Sequence, residues 1–318
     1  MAVLYRNMTE PAGLIPAARV ANVHSNRPSL SESTCVACGR RVSEKALLKT
    51  PYVHMFRCNS CGSWTSVPRP TVESQSALHD TAEYFEHPYF KARREDEALA
   101  ASRCDSIFGQ IGKVIDVDCL RGERMLDIGC DVGSLLVAAA RKYDVTPLGL
   151  DVAGRAAEVA RSRGLQVFHG TIEQAPEEFT GLKLATAIDI LEHATDPSAF
   201  LKAVRERLAP GGLLFIQTPN CESIVYQIGW RLCRLTNGRP RDSLERLFPP
   251  QHIQYFSRCG LQVLAERAGF QIKEIQTRIL PRADIVTSVV IRFGLMGLQA
   301  IDFLRRKQIL LCAVLRKA

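Results

Sequence analysis

No stretch of this chain reaches the ~18 consecutive uncharged apolar residues that a membrane-spanning helix requires, so no spanning segment is expected. The first residues, MAVLYRNMTEP, lack the basic region and apolar run of a secretory leader. Internal repeats and low-complexity tracts are missing too. The 21 Gly and 16 Pro are scattered without a period, which excludes collagen-like and repeat architectures. Nor does one sign of charge dominate. The 41 Lys+Arg against 33 Asp+Glu leave +8, a mild excess compatible with an anionic substrate, RNA, an acidic membrane surface or a solvated basic surface. What the chain does have is 46% hydrophobic residues over 318 positions. That excludes long disorder, supports a sizeable core and suggests about two domains.

Cysteine is abundant, 11 in all, and unevenly used. Cys104, Cys119, Cys130, Cys221, Cys233, Cys259 and Cys312 sit singly, mostly in apolar stretches, which is not the pattern of a secreted disulfide framework. A reducing cytoplasm is therefore expected. The remaining four form two Cys-x-x-Cys-Gly turns, Cys35/Cys38 before Gly39 and Cys58/Cys61 before Gly62. Each turn can present two thiolates, and two facing turns make a tetrahedral four-sulfur site suited to Zn²⁺. Four unligated cysteines or a redox pair are the other readings. A redox Cys-x-x-Cys normally occurs once, at a helix start in a βαβ unit, and that context is absent here. A site closed by four thiolates has no open position for substrate, so its metal would be structural.

Residues 1–31 show no sustained period and are expected to form an N-terminal arm, followed by a zinc ribbon over 32–70 and a helical connector or substrate cap over 71–118. Within the connector, Lys91 to Ile111 carries apolar residues at helical spacing. From Arg124 onward, short apolar strands alternate with helices: strands at 125–129, 147–151, 165–170, 184–191 and 213–220, helices at 135–143, 154–164 and 197–212. Such alternation means βαβ units and a parallel sheet buried on both faces. The α/β domain is expected over 119–318, interrupted at 221–257 by an Arg-rich insertion or lid outside the core. After it come a helix (258–269), a strand (271–280), an apolar helix (284–304) and a last strand (308–317). The apolar helix, broken by Arg292 and Asp302, suits a buried or lid position, or contact with a membrane surface or a greasy substrate. No oligomeric state follows from the sequence.

The first strand-to-helix turn, LDIGCDVGSLL, gives Asp127, Gly129 and Gly133 in the pattern D-x-G-x-x-x-G. Glycines here let a ligand approach the backbone and meet the helix N-terminus. The middle glycine of a dinucleotide fingerprint is replaced by Asp131, which would repel a pyrophosphate. A cofactor with a cationic centre and no phosphate fits better. Asp151, ending the second strand, can accept both hydrogen bonds of a ribose diol, or can cap the next helix.

These motifs, with GLD (149–151), GTIEQAP (170–176), IDILEHATDP (188–197), LAPGGLLFIQTPN (208–220) and PQHIQYFSRCGLQVLAERAGF (250–270), resemble the class I S-adenosylmethionine-dependent methyltransferases. The resemblance covers about residues 120–280 and is nearest to the ubiquinone-biosynthesis O-methyltransferase-like group. Bacterial members that modify small molecules or glycans also carry an N-terminal Cys-x-x-Cys ribbon and a Tyr-rich segment, here EYFEHPYF (83–90). The resemblance implies a Rossmann-like α/β fold with a mostly parallel central sheet plus the small zinc ribbon. It places the cofactor's methionine end over Gly129, Cys130 and Gly133, the ribose at Asp151, and the adenine beside Thr171, Ile172 and Glu173. Asp131-Val132 departs from the commoner Gly-Thr, and Thr171 stands where many relatives have Asp. The resemblance also suggests a divalent metal at Asp189, Glu192 and His193, as in some ubiquinone-pathway relatives.

Methyl transfer from a sulfonium needs alignment of donor and acceptor, and a base only where the acceptor keeps a proton. The candidate bases are His252, just after the arginines of the insertion, and His193, at a strand carboxyl end; packing, capping or lid anchoring is the bland alternative for each. The expected function is methyl transfer to a small-molecule acceptor, such as a secondary metabolite, quinone or sugar intermediate, with oxygen as the acceptor atom. The alternatives are an RNA methyltransferase gripping phosphates with its ribbon and arginines, and a non-catalytic cofactor-binding scaffold. No NPPY-like base-flipping motif supports nucleic acid: TPN (218–220) is followed by Cys221.

Overall fold

The computed structural model describes residues 34–49, 54–67, 96–236, 251–280 and 289–318 continuously, with isolated positions within 69–94 and Leu247–Pro249. The expected arm 1–31, most of segment 83–90, and Arg239, Arg241 and Arg246 lie outside the described residues.

Two sheets organise the chain. The small one comprises β1 (Leu48–Lys49), β2 (His54–Arg57), β3 (Trp64–Val67) and β9 (Gln254–Tyr255), in that spatial order. The large one has seven strands: β4 (Arg124–Ile128), β5 (Thr146–Asp151), β6 (Gln166–His169), β7 (Leu182–Ile188), β8 (Leu208–Pro219), β10 (Phe270–Arg278) and β11 (Leu310–Lys317). Its order is β10-β11-β8-β7-β4-β5-β6. The pairs from β8 to β6 are parallel, and β11 is antiparallel to both its neighbours. The helices are α1 (Glu97–Ile111), α2 (Ser134–Tyr143), α3 (Gly154–Ser162), α4 (Pro197–Arg207), α5 (Ile224–Leu235), α6 (Arg258–Arg267) and α7 (Val289–Arg305).

The period of two along each strand divides the core. Leu126, Ile128, Leu148, Leu150, Ala185 and Ala187 pack on one face with residues of α4 and α6. Met125, Leu184, Leu213, Phe215 and Val314 pack on the other with residues of α1, α2 and α3. Chain order runs outward from β4 in both directions, through β5 to β6 and through β7 to β8. The carboxyl end of β4 is thus the switch point, where α/β sheets leave a crevice for ligands.

Three expectations are corrected. The helix expected to reach residue 212 stops at Arg207. Leu208 already pairs with Leu182 and is buried, Pro210 cannot continue a helix, and Gly211 takes φ 72°. The segment 221–257 is not outside the core: Val225, Tyr226, Gly229 and Cys233 of α5 are buried, and so are Ile253, Gln254, Tyr255 and Phe256. Third, the helix expected over Lys91 to Ile111 is interrupted: Lys91 and Arg94 are helical, Asp96 is extended, and α1 starts afresh at Glu97, where the Asp96 carboxylate accepts from Leu99 N–H at 2.9 Å. Among the described residues, no helix is long and apolar enough to cross a membrane.

Candidate active site

The turn after β4 is shaped by its glycines. Gly129 and Gly133 hold φ 75° and 77°, and Asp131 between them holds φ 50°. A Cβ on Gly129 would lie 2.1 Å from Ile190 Cδ1, and one on Gly133 would lie 2.2 Å from Leu165 Cδ1. The turn is tied to β5: the N–H groups of Gly129 and Cys130 donate to Leu150 O at 2.7 and 3.0 Å.

Three carboxylates surround this turn. Asp127 is buried and accepts from Thr186 Oγ1 at 2.6 Å. Burial, reinforced by the charges of Asp151 and Asp131, pushes it up to about 7. Asp151 is also buried. Burial pushes it up to about 6 against the backbone N–H groups of Ala153 and Asp131, which donate to its oxygens at 2.8 and 2.7 Å. The helix-capping alternative is thus realised in part, because Ala153 is the N-cap residue of α3. A carboxylate offers about four lone-pair positions, so a diol can still be accepted. An acidic surround repels pyrophosphate and suits a sulfonium and an ammonium.

Cys130 contributes backbone rather than thiol. It is 4% exposed, and its Sγ would stand 2.7 Å from a Cβ on Gly149. Along the segment after β6, Thr171 is half-buried, Ile172 is buried in the core and Glu173 is exposed. The Thr171 N–H donates to Gln174 Oε1 at 3.1 Å.

Two residues here escaped the sequence. Arg94 Nε lies 2.8 Å from both oxygens of Asp131, and its guanidinium stacks over Phe85, whose carbonyl it also bonds. Asp80 accepts from the Gly154 N–H at 3.0 Å at the start of α3. The connector therefore reaches the glycine turn after β4 and the start of α3. A conspicuous acid at position 131 was the available hint that a cation would be supplied from elsewhere.

At the end of β7, a short 3₁₀ turn (Leu191–His193) carries Glu192 and His193. His193 Nδ1 lies 2.9 Å from Gln251 O, and the rings of His193 and His252 meet edge to face at 4.8 Å. The two candidates, offered as alternatives by the sequence, form one pair. Glu192 lies beneath them with no exposed surface and accepts from Thr218 Oγ1 at 2.8 Å. Burial, then the charge of Asp189, pushes its carboxyl far up. Asp189 does not join Glu192 and His193, the other two residues weighed for a second divalent metal. Ligand atoms of Glu192, His193 and His252 lie within 4.8 Å of one another, whereas Asp189 is outside that group, with φ 55° and Oδ1 accepting from Gln217 Nε2 at 3.2 Å.

The four ribbon cysteines converge. Their Sγ atoms all lie within 4.8 Å, with Cys35–Cys61 and Cys38–Cys58 each at 3.5 Å. A tetrahedral zinc with Zn–S of about 2.3 Å needs S···S edges of about 3.8 Å. Gly39 and Gly62 take φ 75° and 80°, as the two turns require. Cys61 is pushed down to about 5 by the hydrogen bond from Cys35, against its burial, while that bond and burial push Cys35 up. The donor set is compatible with one Zn²⁺.

A family model described as a methyltransferase domain matches residues 98–275. The chain is 36% identical over 108 residues to a ubiquinone biosynthesis O-methyltransferase of Xanthomonas oryzae pv. oryzae (strain PXO99A), a match covering 32% of this chain and 45% of that protein. A protein of the same description from Paracidovorax citrulli (strain AAC00-1) is 31% identical over 119 residues, with coverage of 35% and 50%. The chain spans about half the length of these curated relatives. Haemonchus contortus phosphoethanolamine N-methyltransferase 2, solved with S-adenosyl-L-methionine, superposes with TM-score 0.54 at 16% identity, covering 80% of this chain and 62% of that one. The [4+2]-cyclase SpnF superposes with TM-score 0.51 at 15% identity, covering 79% and 98%. These two likenesses concern the fold alone, and the cyclase illustrates how far chemistry varies upon it. The domain match takes in more than half of the chain, so the chain belongs to the methyltransferase-domain family.

Proposed function

We propose that this protein is an S-adenosylmethionine-dependent methyltransferase and that it methylates a hydroxyl oxygen of a small-molecule acceptor, such as a secondary metabolite, quinone or sugar intermediate. The observation that carries this reading is the His193–His252 pair at the carboxyl end of β7, beside the switch-point crevice. An imidazole there can take the proton that a hydroxyl acceptor must lose, which an amine acceptor at neutral charge need not. The O-methyltransferase description of the curated relatives points the same way.

In this reading, the backbone of Gly129, Cys130 and Gly133 receives the methionine end of the cofactor, and Asp151 receives the ribose diol. Thr171, Ile172 and Glu173 flank the adenine. The cofactor supplies an activated methyl group on a sulfonium. The protein's own contribution is alignment along the transfer axis, worth up to about 7–11 kcal/mol in well-oriented systems, and removal of one proton. Cys35, Cys38, Cys58 and Cys61 hold a structural Zn²⁺ with no vacant position for substrate.

The test is label transfer from methyl-labelled S-adenosylmethionine into cell extract, with and without RNase. Label in the extractable small-molecule fraction, insensitive to RNase, is the expected result. RNase-sensitive label would establish the RNA alternative instead. An N-methyl rather than O-methyl product would remove the oxygen assignment.

A further inference from the structure

One short segment, residues 251–257, touches both the cysteine ribbon and the histidine pair. On the ribbon side, β9 pairs with β3 in the register Trp64↔Tyr255 and Thr65↔Gln254. The Ser66 N–H donates to Ile253 O at 2.9 Å, and the Ser257 N–H donates to Ser63 Oγ at 3.1 Å. Ser257 Oγ donates to the carbonyl of Cys61, itself one of the four clustered cysteines. On the opposite side, the Ile253 N–H donates to Glu192 O at 3.1 Å. Gln254 Nε2 donates to Leu191 O and Ala194 O, each at 2.7 Å. These acceptors bracket His193, and His252 lies within the bridging segment.

The position of His252 is therefore borrowed. β9 has two residues, below the usual length of a self-supporting strand. β3 belongs to a module of a size that normally needs metal or disulfide to fold. Among the described residues, hydrogen bonds of the turn 129–133 run to β5, Asp151 and Arg94, and none runs to the ribbon. The hydrogen bonds give the ribbon a direct hold on the half of the site that carries His252, whereas they give it none on the turn 129–133.

We propose that the four-cysteine ribbon is the positioning element of the reaction. Through Ser63 and Ser257 it fixes β9 and His252 against His193, so that loosening this seam lowers turnover without weakening cofactor binding. This rests on the assignment of the histidine pair to the acceptor proton. Ser63 and Ser257 are positioning residues, since neither lies at the cofactor turn.

The experiment uses the full zinc-loaded chain and two variants that keep all four thiols. Ser63→Ala removes the acceptor of the Ser257 N–H. Gly260→Ala drives a wedge into the same seam, because its Cβ would lie 1.9 Å from Ser63 Oγ. Zinc content, calorimetric affinity for S-adenosylmethionine, the rate of label transfer into extract at saturating cofactor, and histidine Cε1–H signals by NMR are measured. Zinc content and cofactor affinity should stay within about twofold of wild type. The rate should fall roughly 10- to 100-fold, the scale of a misplacement near 1 Å. The signals assigned to His193 and His252, by comparison with their alanine variants, should shift. An unchanged rate with unmoved histidine signals overturns the proposal, and so does a rate loss accompanied by an equal loss of cofactor affinity. Shifted histidine signals with an unimpaired His252→Ala enzyme would overturn the base assignment alone and leave the ribbon's hold on the segment standing.

Discussion

The backbone N–H of Asp131 donates to Oδ2 of Asp151 at 2.7 Å, tying the glycine-rich turn to the end of the next strand. The same carboxylate accepts from the Ala153 N–H at 2.8 Å. Asp151 therefore serves the fold before any cofactor arrives. Asp151→Ala should weaken S-adenosylmethionine binding by about 1.5–3 kcal/mol, the scale of hydrogen bonds to a charged group. It should also lower thermal stability, because two N–H groups lose their acceptor. Asp151→Asn keeps an acceptor for only one of these N–H groups, so it should lose part of that stability while still weakening the ribose contacts. Calorimetry and melting curves on both variants separate the two roles. Equal binding by wild type and Asp151→Ala would remove Asp151 from the cofactor site.

The same carboxyl predicts a pH dependence. Burial raises it from 3.8 to about 6, so it holds its proton more tightly folded than unfolded. Its contribution to folding is largest below 3.8 and declines as pH rises toward about 6. In the proposed reading cofactor binding runs the opposite way, because two ribose hydroxyls would donate to the ionised form. Affinity should rise as pH increases through about 6 and then level off, with proton release on binding below that point. Calorimetry in buffers of differing ionisation enthalpy measures the release. A flat profile in wild type, or an identical slope in Asp151→Asn, would contradict this account.

Gly129 and Gly164 share a positive φ, 75° and 82°, but not their surroundings. A Cβ on Gly129 runs into Ile190, whereas one on Gly164 meets nothing within 4 Å. Gly164→Ala should cost about 1–2 kcal/mol of stability from the left-handed backbone alone and keep cofactor affinity. Gly129→Ala must displace Ile190 across the turn and should abolish binding. Retained binding in Gly129→Ala would show that the cofactor does not approach this backbone.

The parts of the fold read correctly from the sequence are local ones. Leu126, Gly129 and Gly133 carry their strand, turn and helix signals within a few residues, and the Cys-x-x-Cys-Gly turns do likewise. What was missed depends on contacts between distant segments. Arg94 lies in a charged run with nothing nearby to mark it as the partner of Asp131. The apolar face of α5, formed by Val225, Tyr226, Gly229 and Cys233, was hidden behind the arginines that share its stretch of chain. β9 has too few residues to show alternation and exists because Trp64 and Thr65 pair with it. Leu208 carries a helical pattern that continues to Pro210, but its burial and pairing against β7 outweigh that pattern and make it strand.

Metal analysis should return about one Zn per chain. Cys58→Ser should lose the metal and loosen the ribbon, while far-UV circular dichroism of the seven-stranded sheet and its helices stays near wild type. Some coupling is expected at the seam, because Cys35, Val36, Ala37, Cys58 and Cys61 pack into the same cluster as Leu261 and Leu264 of α6. A modest drop in melting temperature is the expected sign of it. Protein purified without metal and with four rapidly reacting thiols would exclude the zinc site.

His252 is held from both sides, through Ile253 to Glu192 and to Ser66, and its ring meets that of His193 at 4.8 Å. A base in that position acts on the chemical step. His252→Ala should then lower kcat about 10²–10⁴-fold with cofactor affinity kept, and part of the loss should recover at high pH, where the acceptor hydroxyl ionises unaided. If His252 serves instead to anchor the segment over the crevice, KM for the acceptor should rise, with kcat little changed and a weak pH effect. His193→Ala discriminates further. Its Nδ1 lies 2.9 Å from Gln251 O, so its loss should loosen the segment that carries His252 and reproduce part of the same defect. Unchanged kcat and KM in His252→Ala would exclude both roles and leave the pair as packing at the end of β7.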